Sequence, residues 1–545
     1  MATITAPQPE PDLGRRPELP DSGYAPRTPA WIRRIPTWLW VTAGLIGLMA
    51  LSAFFRTRYL NGQYWMDEAI TTGIALHPLD KIPHVLRYDG NPPLYYMLLH
   101  LWIKAFGDSV DATHSLSVLF GILTIPAGGW GAWKLFGRRA GVMAAILFAF
   151  NAWLTSYAQE TRMYELMGLW GVLATTFFVL GFVERRRRWL LAFGAVLLAM
   201  LYTHSWGTFF FIGSAIALIP SLLAHTGRER MLLLRDAVMT YVATGLLFLP
   251  WAPTLLFQIA HTAAPWDTPP RLGAPVQISR NVLGGDKITI VLVLAAAIGL
   301  APLFTRALRR SPEATKLFTL ILLPLAVLLI AWLGSQVNPA WAPRYFAPVI
   351  GAMLFLLAWG CSRARLVGIV AVALSCAFLA NPYAFAPKHK SDMRYVAATM
   401  GPLLHKGDTV VVGQPEQTTL AWYYLPGGLR YANTARGAVA DPTYMNWVNA
   451  LDAIKRTDPQ RTAARLVSQL RPGQQLLFVR PLTEGAQNWK APWTVWVRRR
   501  SAQWGAVFAR DVSDGLLRQV ATAPLNYPGA CCVADSAVLF RKLSK

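Results

Sequence analysis

Long apolar segments constrain this chain more than any other feature of its sequence. A helix needs roughly 17 to 25 apolar residues to cross a bilayer core about 30 Å thick. About eleven such segments occur before residue 382, near 38–55, 115–136, 141–157, 164–183, 189–206, 208–225, 236–252, 287–304, 317–334, 346–361 and 366–381. A further run at 94–106 is too short and carries His100 and Lys104, so we interpret it as interfacial or re-entrant. The chain is therefore predicted to be a polytopic α-helical membrane protein.

The overall composition supports this prediction. Of the 545 residues, 54% are hydrophobic and only 15% are charged, which is too apolar for an ordinary soluble protein. The same balance excludes the disordered class. Four cysteines are too few for a disulfide scaffold in a chain of this length.

The positions of the basic residues explain the net charge of +24. In a soluble protein such an excess would suggest nucleic acid as a partner. Here the cations lie ahead of the first predicted span and in every second connection, at Arg33/Arg34, Arg138/Arg139, 185–188, Arg228/Arg230/Arg235, 306–316 and Arg363/Arg365. Basic connections face the cytoplasm, so the N-terminus is predicted to be cytoplasmic. We therefore expect a multi-pass protein of a bacterial plasma (inner) membrane, with membrane lipids and no nucleic acid as partners.

The same pattern divides the chain into three parts. Residues 1–37 are predicted to be a cytoplasmic tail and residues 38–381 the transmembrane domain. An odd number of spans places residues 382–545 outside the cytoplasm. Predicted short strands and helical stretches alternate in these residues, which indicates a small α/β domain.

Individual elements of this outer domain are also predicted. Apolar runs at 408–413 and 474–480 indicate buried strands, and 444–470 indicates helix with a break near Pro459. A further pair of strands is predicted at 494–498 and 537–540. Adjacent cysteines, Cys531 and Cys532, fit either a vicinal disulfide or two free thiols.

An acid pair stands in the first predicted outer connection. Asp67 and Glu68 follow Trp65 and Met66 just after the first span. Carboxylates at a membrane face act as a general base or bind a cation, whereas the plainer alternative is an acidic first turn of a helix. No cofactor is required by these residues, and a divalent cation at the pair is left open. Glycine-rich phosphate loops, zinc-binding spacings and nucleophile elbows are not found.

Cations recur on the same outer face. Arg162 and Arg344 each stand at the outer end of a predicted span, where a phosphate at the bilayer surface would need a guanidinium. For Arg162 the alternative is an ion pair with Glu160 or Glu165. Lys104 is a further candidate cation, with simple snorkelling as its alternative.

Four motifs in this order resemble glycosyltransferase family 39, the protein mannosyltransferase-like group of the C-type (GT-C) glycosyltransferase superfamily. They are Trp65-Met66-Asp67-Glu68, Asn91-Pro92-Pro93-Leu94-Tyr95-Tyr96, Gln159-Glu160-Thr161-Arg162-Met163-Tyr164 and Arg344-Tyr345-Phe346. The resemblance implies a GT-C fold with about 11 transmembrane helices followed by an extracytoplasmic α/β domain. It also implies transfer of a sugar, with inversion, from a polyprenyl-phosphate donor to an acceptor hydroxyl on the outer face.

The resemblance further suggests roles for individual residues. Asp67 would act as the general base, and Glu68 would position Asp67 or the acceptor. Donor phosphate would be held by Arg162, Arg344 and Lys104. The expected substrate-binding residues are Asp89, Tyr95, Gln159, Glu160, Tyr164, His204 and Tyr345, although for His204 plain packing is the alternative. The outer loop at 253–286 would fold over the donor.

Sugar and acceptor are less constrained than the reaction class. Mannose is favoured because of the family, with arabinofuranose or another lipid-linked sugar as alternatives. The acceptor is a protein, a glycolipid or a cell-wall glycan. The competing functions are a membrane transporter or lipid flippase of the cell envelope, and a scaffold protein that would not need Asp67 or Arg162.

Overall fold

The computed structural model describes residues 36–262, 264–301, 311–380, 389–481, 490–526 and 535–544. The chain forms two compact units, one ending at Gly47 and the other running from Leu48 to Lys545. In the first unit the described residues form the start of helix α1. Cys531 and Cys532 lie outside the described residues.

Helices dominate the chain up to Ala380. In chain order they are α1 (Thr37–Thr57), α2 (Met66–Ala75), α3 (Ile82–Asp89), α4 (Leu94–Phe106), α5 (Val110–Phe136), α6 (Arg138–Ala149), α7 (Ala152–Tyr157), α8 (Tyr164–Phe178), α9 (Arg188–Thr203), α10 (Gly207–Ile216), α11 (Ile219–Ala224), α12 (Gly227–Phe248), α13 (Ala252–His261), α14 (Ala274–Leu283), α15 (Asp286–Leu300), α16 (Pro312–Val337), α17 (Ile350–Arg363) and α18 (Arg365–Ala380). A π-helical turn, Val179–Val183, continues α8, and a 3₁₀ segment, Pro343–Val349, leads into α17.

Seven helical segments in the described residues are long and apolar enough to cross a membrane. They are Trp38–Thr57, Val110–Phe136, Tyr164–Val183, Gly207–Ala224, Gly227–Phe248, Pro312–Val337 and Pro343–Arg363. An eighth is added if α14 and α15, which meet at a bend of 87°, are counted as one broken span. Three apolar helices are shorter: Leu94–Phe106, Arg188–Thr203 and Arg365–Phe378. The chain is thus the polytopic α-helical protein that its apolar segments predict.

The expected count of eleven full-length spans is higher than the seven or eight found in the described residues. One reason lies at 141–157, where α6 stops at Ala149 and a new helix starts. The Asn151 side chain accepts a hydrogen bond from the Leu154 N–H at 2.9 Å, which caps α7 and separates it from α6. The segments at 189–206 and 366–381 form helices shorter than a bilayer core requires. The predicted outer loop at 253–286 is not a plain loop, because it contains α13 and α14.

Glycines bring two parts of the membrane region into close contact. A Cβ added to Gly171 in α8 would lie 2.8 Å from the Cα of Pro348, and one added to Gly351 in α17 would lie 2.8 Å from the Cα of Val172. Backbone therefore packs directly on backbone at this crossing. As a result, the start of α8 lies beside the segment Pro343–Val349.

A mixed sheet of six strands lies in the C-terminal part of the chain. The strands are β1 (Thr409–Val412), β2 (Arg430–Asn433), β3 (Gly437–Val439), β4 (Gln475–Pro481), β5 (Leu517–Ala523) and β6 (Asp535–Lys542), in the order β3-β2-β1-β4-β6-β5. β1 runs parallel to both of its neighbours, with Val411 opposite Ala432 in β2 and Phe478 in β4. The remaining pairs are antiparallel. Val410, Val411 and Val412 are fully buried, as expected for a strand covered on both faces.

Helices surround this sheet. They are α19 (Met393–Met400), α20 (Thr418–Tyr424), α21 (Ala450–Arg456), α22 (Pro459–Ser468) and α23 (Pro492–Ser513), with short 3₁₀ turns at Gly401–Leu403 and Pro415–Gln417. The strands predicted at 408–413, 474–480 and 537–540 are present in the structure. The helix predicted at 444–470 begins only at Ala450, and it breaks before Pro459 as expected.

The strand predicted at 494–498 is wrong, since these residues lie within α23. Short apolar runs do not distinguish a strand from a buried helix segment. Trp493, Val497, Trp504 and Phe508 are all buried, and their spacings of four, seven and four residues put them on one face of the helix.

Candidate active site

The acid pair lies in the first turn of α2. The Trp65 N–H donates to Glu68 Oε2 at 3.1 Å, so the side chain of Glu68 caps the start of its own helix. The acidic first turn that we considered as an alternative is therefore present. It accounts for Glu68 and leaves the side chain of Asp67 available.

Glu68 is fully buried and its oxygens are fully used. Its Oε1 lies 2.6 Å from His114 Nε2 and accepts the Thr161 N–H at 3.0 Å. The Lys390 ammonium donates to Oε1 at 3.1 Å and to Oε2 at 2.9 Å. Burial favours the neutral acid, but the charges of Lys390 and His114 outweigh it and lower the pKa of Glu68 to about 2. Glu68 is thus an ionised anchor for α2.

Asp67 has a different environment. Its side chain is 23% exposed, and Oδ2 lies 3.8 Å from Arg162 Nη2 and 3.8 Å from Arg344 Nη2. These distances are those of ion pairs and are too long for hydrogen bonds. The structure therefore brings together the acid and the two arginines that the sequence predicts on one face.

Arg162 is held firmly in place. Its Nη1 donates to Thr71 Oγ1 at 2.7 Å and to the Asp67 carbonyl at 3.3 Å, and its Nη2 donates to the Tyr164 hydroxyl at 3.2 Å. The buried Nε has no hydrogen-bond partner among the described residues. A fixed guanidinium with an unsatisfied donor suits an anionic ligand.

Arg344 is held mainly by aromatic rings. Its Cζ lies 5.4 Å from the centre of the Trp65 ring and 5.2 Å from that of Tyr345. Its Nε is also buried and has no hydrogen-bond partner in the described part of the chain. Both arginines therefore combine a fixed position with unused N–H donors beside Asp67.

His204 lies behind this cluster, between α9 and α10. Its ring centre is 5.3 Å from that of Tyr345 and 6.1 Å from that of Tyr164. Burial, together with the charges of Arg162 and Arg344, lowers the pKa of His204 to about 3. The neutral ring accepts the Trp206 N–H at Nδ1 over 3.1 Å, which leaves the proton on Nε2. Nε2 can therefore donate to a ligand.

Asp89 and Tyr95 flank the acid pair from the following helices. Asp89 is buried in the last turn of α3 and accepts a hydrogen bond from Asn91 Nδ2 at 3.0 Å. Burial raises the pKa of Asp89 to about 6. Tyr95 is buried in α4, with its hydroxyl 3.4 Å from Ser117 Oγ.

Gln159 and Glu160 contribute main-chain groups to the site. The Gln159 carbonyl accepts the Lys390 ammonium at 2.8 Å, and the Glu160 carbonyl accepts the Ser117 hydroxyl at 2.6 Å. These bonds fix the turn that precedes Arg162. The structure therefore gives both residues a role in positioning Arg162.

Two sequence-based expectations do not match the structure. Lys104 is exposed in the last turn of α4, so it does not share the buried position of Arg162 beside Asp67. Glu165, considered as a partner of Arg162, instead pairs with Arg56 across 3.3 Å, both side chains being fully buried.

Three residues of the site were not singled out from the sequence. Lys390 and His114 contact the carboxylate of Glu68, and Arg56 is buried beside Glu165. A buried carboxylate requires a cation nearby, so the acid pair was itself the signal that further partners exist. It does not indicate where in the chain they are.

The described residues contain no group of three or more His, Cys, Asp or Glu side chains arranged to hold a metal ion. Both acids of the pair face cations instead: Glu68 faces Lys390, and Asp67 faces the two arginines. The charges of the acid pair are thus balanced by protein side chains.

Comparisons with known proteins identify the fold. No protein-family model matches the chain, and no curated protein matches its sequence. The crystal structure of ArnT from Cupriavidus metallidurans in the apo state matches with a TM-score of 0.57 at 13% identity, over 92% of this chain and 98% of that one. The structure of the same protein bound to undecaprenyl phosphate matches with a TM-score of 0.55, at the same identity and coverage. An oligosaccharyltransferase from Archaeoglobus fulgidus in the apo form matches with a TM-score of 0.48 at 11% identity, over 88% of this chain and 73% of that one.

The chain therefore has the GT-C fold that the sequence motifs predict. Both ArnT matches extend over nearly the whole length of each chain, so they include the C-terminal sheet as well as the membrane helices. At 13% identity the likeness defines the fold alone. The narrower resemblance to family 39 stays a prediction.

Proposed function

We propose that this chain is a glycosyltransferase of the EC 2.4 class that uses a polyprenyl-phosphate sugar. It moves the sugar to an acceptor hydroxyl on the extracytoplasmic side of a bacterial plasma membrane, with inversion. The observation that carries the proposal is the position of Asp67, whose carboxylate lies 3.8 Å from Arg162 and 3.8 Å from Arg344. Transfer of a sugar from a polyprenyl phosphate to a hydroxyl needs a general base close to cations that bind the phosphate.

The donor is the first part of the proposal. ArnT, which shares the fold, has been solved bound to undecaprenyl phosphate. The unused Nε donors of Arg162 and Arg344 are suited to a phosphate oxygen. We therefore assign the donor phosphate to these two arginines and leave Lys104 out of the site.

The reaction is a direct displacement at the anomeric carbon. The acceptor oxygen forms the new bond to this carbon, and the bond to the phosphate oxygen breaks and leaves its electron pair on the polyprenyl phosphate. Asp67 takes the proton of the attacking hydroxyl. As the phosphate gains charge, Arg162 and Arg344 stabilise it. Glu68 takes no proton, because its oxygens are occupied by Lys390, His114 and backbone N–H groups.

The sugar is proposed to be mannose, following the family resemblance, and the acceptor a protein, a glycolipid or a cell-wall glycan. Neutral His204 supplies a donor at Nε2 for the sugar or the phosphate. Tyr164 and Tyr345, whose ring centres lie 6.1 and 5.3 Å from that of His204, contact the same ligand. The proposed divisions at residues 37 and 381 and the placement of 382–545 outside the cytoplasm remain part of this proposal.

Sugar transfer by the purified protein in nanodiscs tests the proposal. The protein is given a panel of labelled polyprenyl-phosphate sugars and an organic extract of bacterial membranes as the acceptor pool. Asp67→Asn should lower the rate by about 10²–10⁴-fold, as expected for a lost general base. Asp80→Asn is the matched control, since Asp80 lies nearby in the chain and its side chain is 74% exposed. Product from no donor, or equal product from Asp67→Asn, would contradict the proposal and favour transport or lipid flipping.

A further inference from the structure

The central strand of the C-terminal sheet marks a crevice. The chain leaves β1 toward β2 on one side, whereas it leaves β4 toward β6 and β5 on the other. Since β1 and β4 are parallel neighbours, their carboxyl ends open on a point where the strand order reverses. Open α/β sheets bind their ligands at such points.

A buried carboxyl group lies at this position. Glu416 is in the 3₁₀ turn Pro415–Gln417, directly after β1, and is only 5% exposed. Its Oε1 accepts two hydrogen bonds, from Gln414 Nε2 at 2.7 Å and from the indole N–H of Trp493 at 3.0 Å. Trp493 belongs to α23, the helix after β4. Both strands of the crevice therefore help to hold Glu416.

The second oxygen of this carboxyl group is unused. Oε2 of Glu416 is buried and has no hydrogen-bond partner in the described part of the chain. A buried acceptor without a partner is costly, and such atoms in a native protein commonly await a ligand or water. The other oxygen, Oε1, already accepts two hydrogen bonds, so Oε2 is the oxygen that remains available to a ligand.

The crevice adjoins the acid pair. Gln414 Nε2 lies 3.6 Å from the sulfur of Met66, the residue that precedes Asp67. Burial, with a smaller contribution from the charge of Asp67, raises the pKa of Glu416 to about 7. The arginines thus lie in the segments that lead into α8 and α17, and the turn after β1 supplies a second acid close to α2.

We propose that Glu416 binds the acceptor by accepting, at Oε2, a hydrogen bond from a second hydroxyl group of a polyhydroxylated acceptor while Asp67 faces the attacking hydroxyl. The inference rests on the proposed glycosyl transfer. A hydroxyl suits this position because it donates to a carboxylate, and hydrogen bonds to an ionised acceptor are stronger than those to a neutral one. Glu416 is then a specificity-determining residue, and the crevice at β1 and β4 is the acceptor subsite.

Acceptor titrations with Glu416→Gln test this inference. The amide oxygen can keep the bonds from Gln414 and Trp493, while an NH₂ group replaces Oε2. With saturating labelled donor and increasing amounts of the membrane extract, the apparent KM for acceptor should rise about 10-fold, which corresponds to one lost hydrogen bond. The KM for donor should stay unchanged. Gln519→Ala, an exposed change in β5, is the matched control and should change neither KM.

A pH profile separates binding from a merely structural role. The apparent acceptor KM of the parent protein should fall as the pH rises from 6 to 8, because Glu416 ionises and the bond from the hydroxyl becomes charge-assisted, and this change should be absent in Glu416→Gln. A flat profile in the parent would overturn the inference even if the variant failed to fold. An unchanged acceptor KM in a folded Glu416→Gln would overturn it as well.

The chemical class of the acceptor is tested with the same extract. Acetic anhydride in aqueous bicarbonate blocks amines and leaves hydroxyl groups, so treated and untreated extracts should give the same acceptor KM. A large increase in the acceptor KM after treatment would show that the subsite binds an ammonium group, and it would overturn the inference that the subsite binds a hydroxyl. An active parent with a normal Glu416→Gln overturns this inference alone, whereas a parent inactive with all donors overturns the proposed function and the inference together.

Discussion

Lys390 reaches back across 322 residues of chain to place its ammonium nitrogen 2.9 Å from Oε2 and 3.1 Å from Oε1 of Glu68. Glu68 is fully buried, and the lysine side chain is 14% exposed. The pair joins the part of the chain after the last membrane helix to α2, the helix that carries Asp67. A charge in this position affects the folding of the site as well as its chemistry.

Lys390→Met should destabilise the protein strongly. The substitution leaves the buried Glu68 carboxylate with only the His114 ring beside it, and breaking a buried ion pair costs about 3–5 kcal/mol. The melting temperature in detergent should fall clearly. The double variant Lys390→Met/Glu68→Gln should melt above Lys390→Met, because no uncompensated charge is then buried.

Lys104→Met is the control for this comparison, since Lys104 is exposed in α4. Its melting temperature should equal that of the parent. If Lys390→Met also melted like the parent, the ion pair would not stabilise the fold. If the double variant melted no higher than the single one, the loss would have another origin.

Arg162→Lys and Arg344→Lys should each lower kcat by about 10²–10³-fold, the cost of losing one group that stabilises developing charge. A lysine keeps the charge but loses the planar donor fork. The assay is the transfer of labelled sugar, with Lys104→Ala expected to behave like the parent. Equal activity of the arginine variants and the parent would show that the phosphate is bound elsewhere.

Asp89 should make stability depend on pH. Burial raises the pKa of Asp89 from 3.8 to about 6 in the folded protein. Below pH 3.8 the Asp89 carboxyl is neutral in both the folded and the unfolded protein, and above pH 6 it is ionised in both. As the pH rises between these values, the buried charge therefore progressively destabilises the folded protein. The cost at pH 7 is about 3 kcal/mol or less, at about 1.4 kcal/mol per pKa unit.

Asp89→Asn therefore should melt like the parent at pH 4 and above the parent at pH 7. The measurement is the difference between the two melting temperatures, since other titrating groups cancel in it. A difference that is the same at both pH values would mean that Asp89 is not held in its neutral form. Loss of sugar transfer at pH 7 despite the higher melting temperature would support its assignment to substrate binding.

Gly73→Ala should separate α2 from the C-terminal part of the chain. A Cβ at this position would overlap the backbone carbonyl oxygen of Thr443, which a backbone group cannot avoid by rotating. Overpacking of this kind costs about 1–3 kcal/mol. Gly245→Ala in α12 is the control, because an added Cβ there meets nothing within 4 Å. Equal melting temperatures for the two variants would contradict the close contact at Gly73.

The sequence predicts the polytopic helical architecture and brings the acid pair and the two arginines into one candidate site, because both inferences depend on local signals. Apolar length indicates a span, and the acid pair and the two arginines stand close to the ends of apolar segments. Apolar length does not predict a single span where a helix is interrupted inside an apolar run, as at Asn151. A cation near a predicted membrane face is a weaker signal, since Lys104 is exposed whereas Arg162 is buried.

Other features depend on contacts between distant parts of the chain. No local pattern shows that Lys390 neutralises Glu68, or that Glu416 follows the strand next to the site. Such partners become visible only once the sheet is placed against α2. The residues 494–498 illustrate the same limit on a smaller scale, because the surrounding packing makes them helical.

The attachment of α2 to the C-terminal part also has a consequence for how the protein is made. Both backbone groups of Tyr64 are bound by residues synthesised much later: its N–H donates to the Tyr424 hydroxyl at 2.8 Å, and its carbonyl accepts the Ser391 hydroxyl at 2.9 Å. At translation rates of roughly 5–20 residues per second, the 322 residues between Glu68 and Lys390 take roughly 15 to 65 s to synthesise. During that interval α2 lacks the cation that pairs with Glu68. The early spans are therefore synthesised before the site is complete, and all of these contacts can form only after Tyr424 has been synthesised.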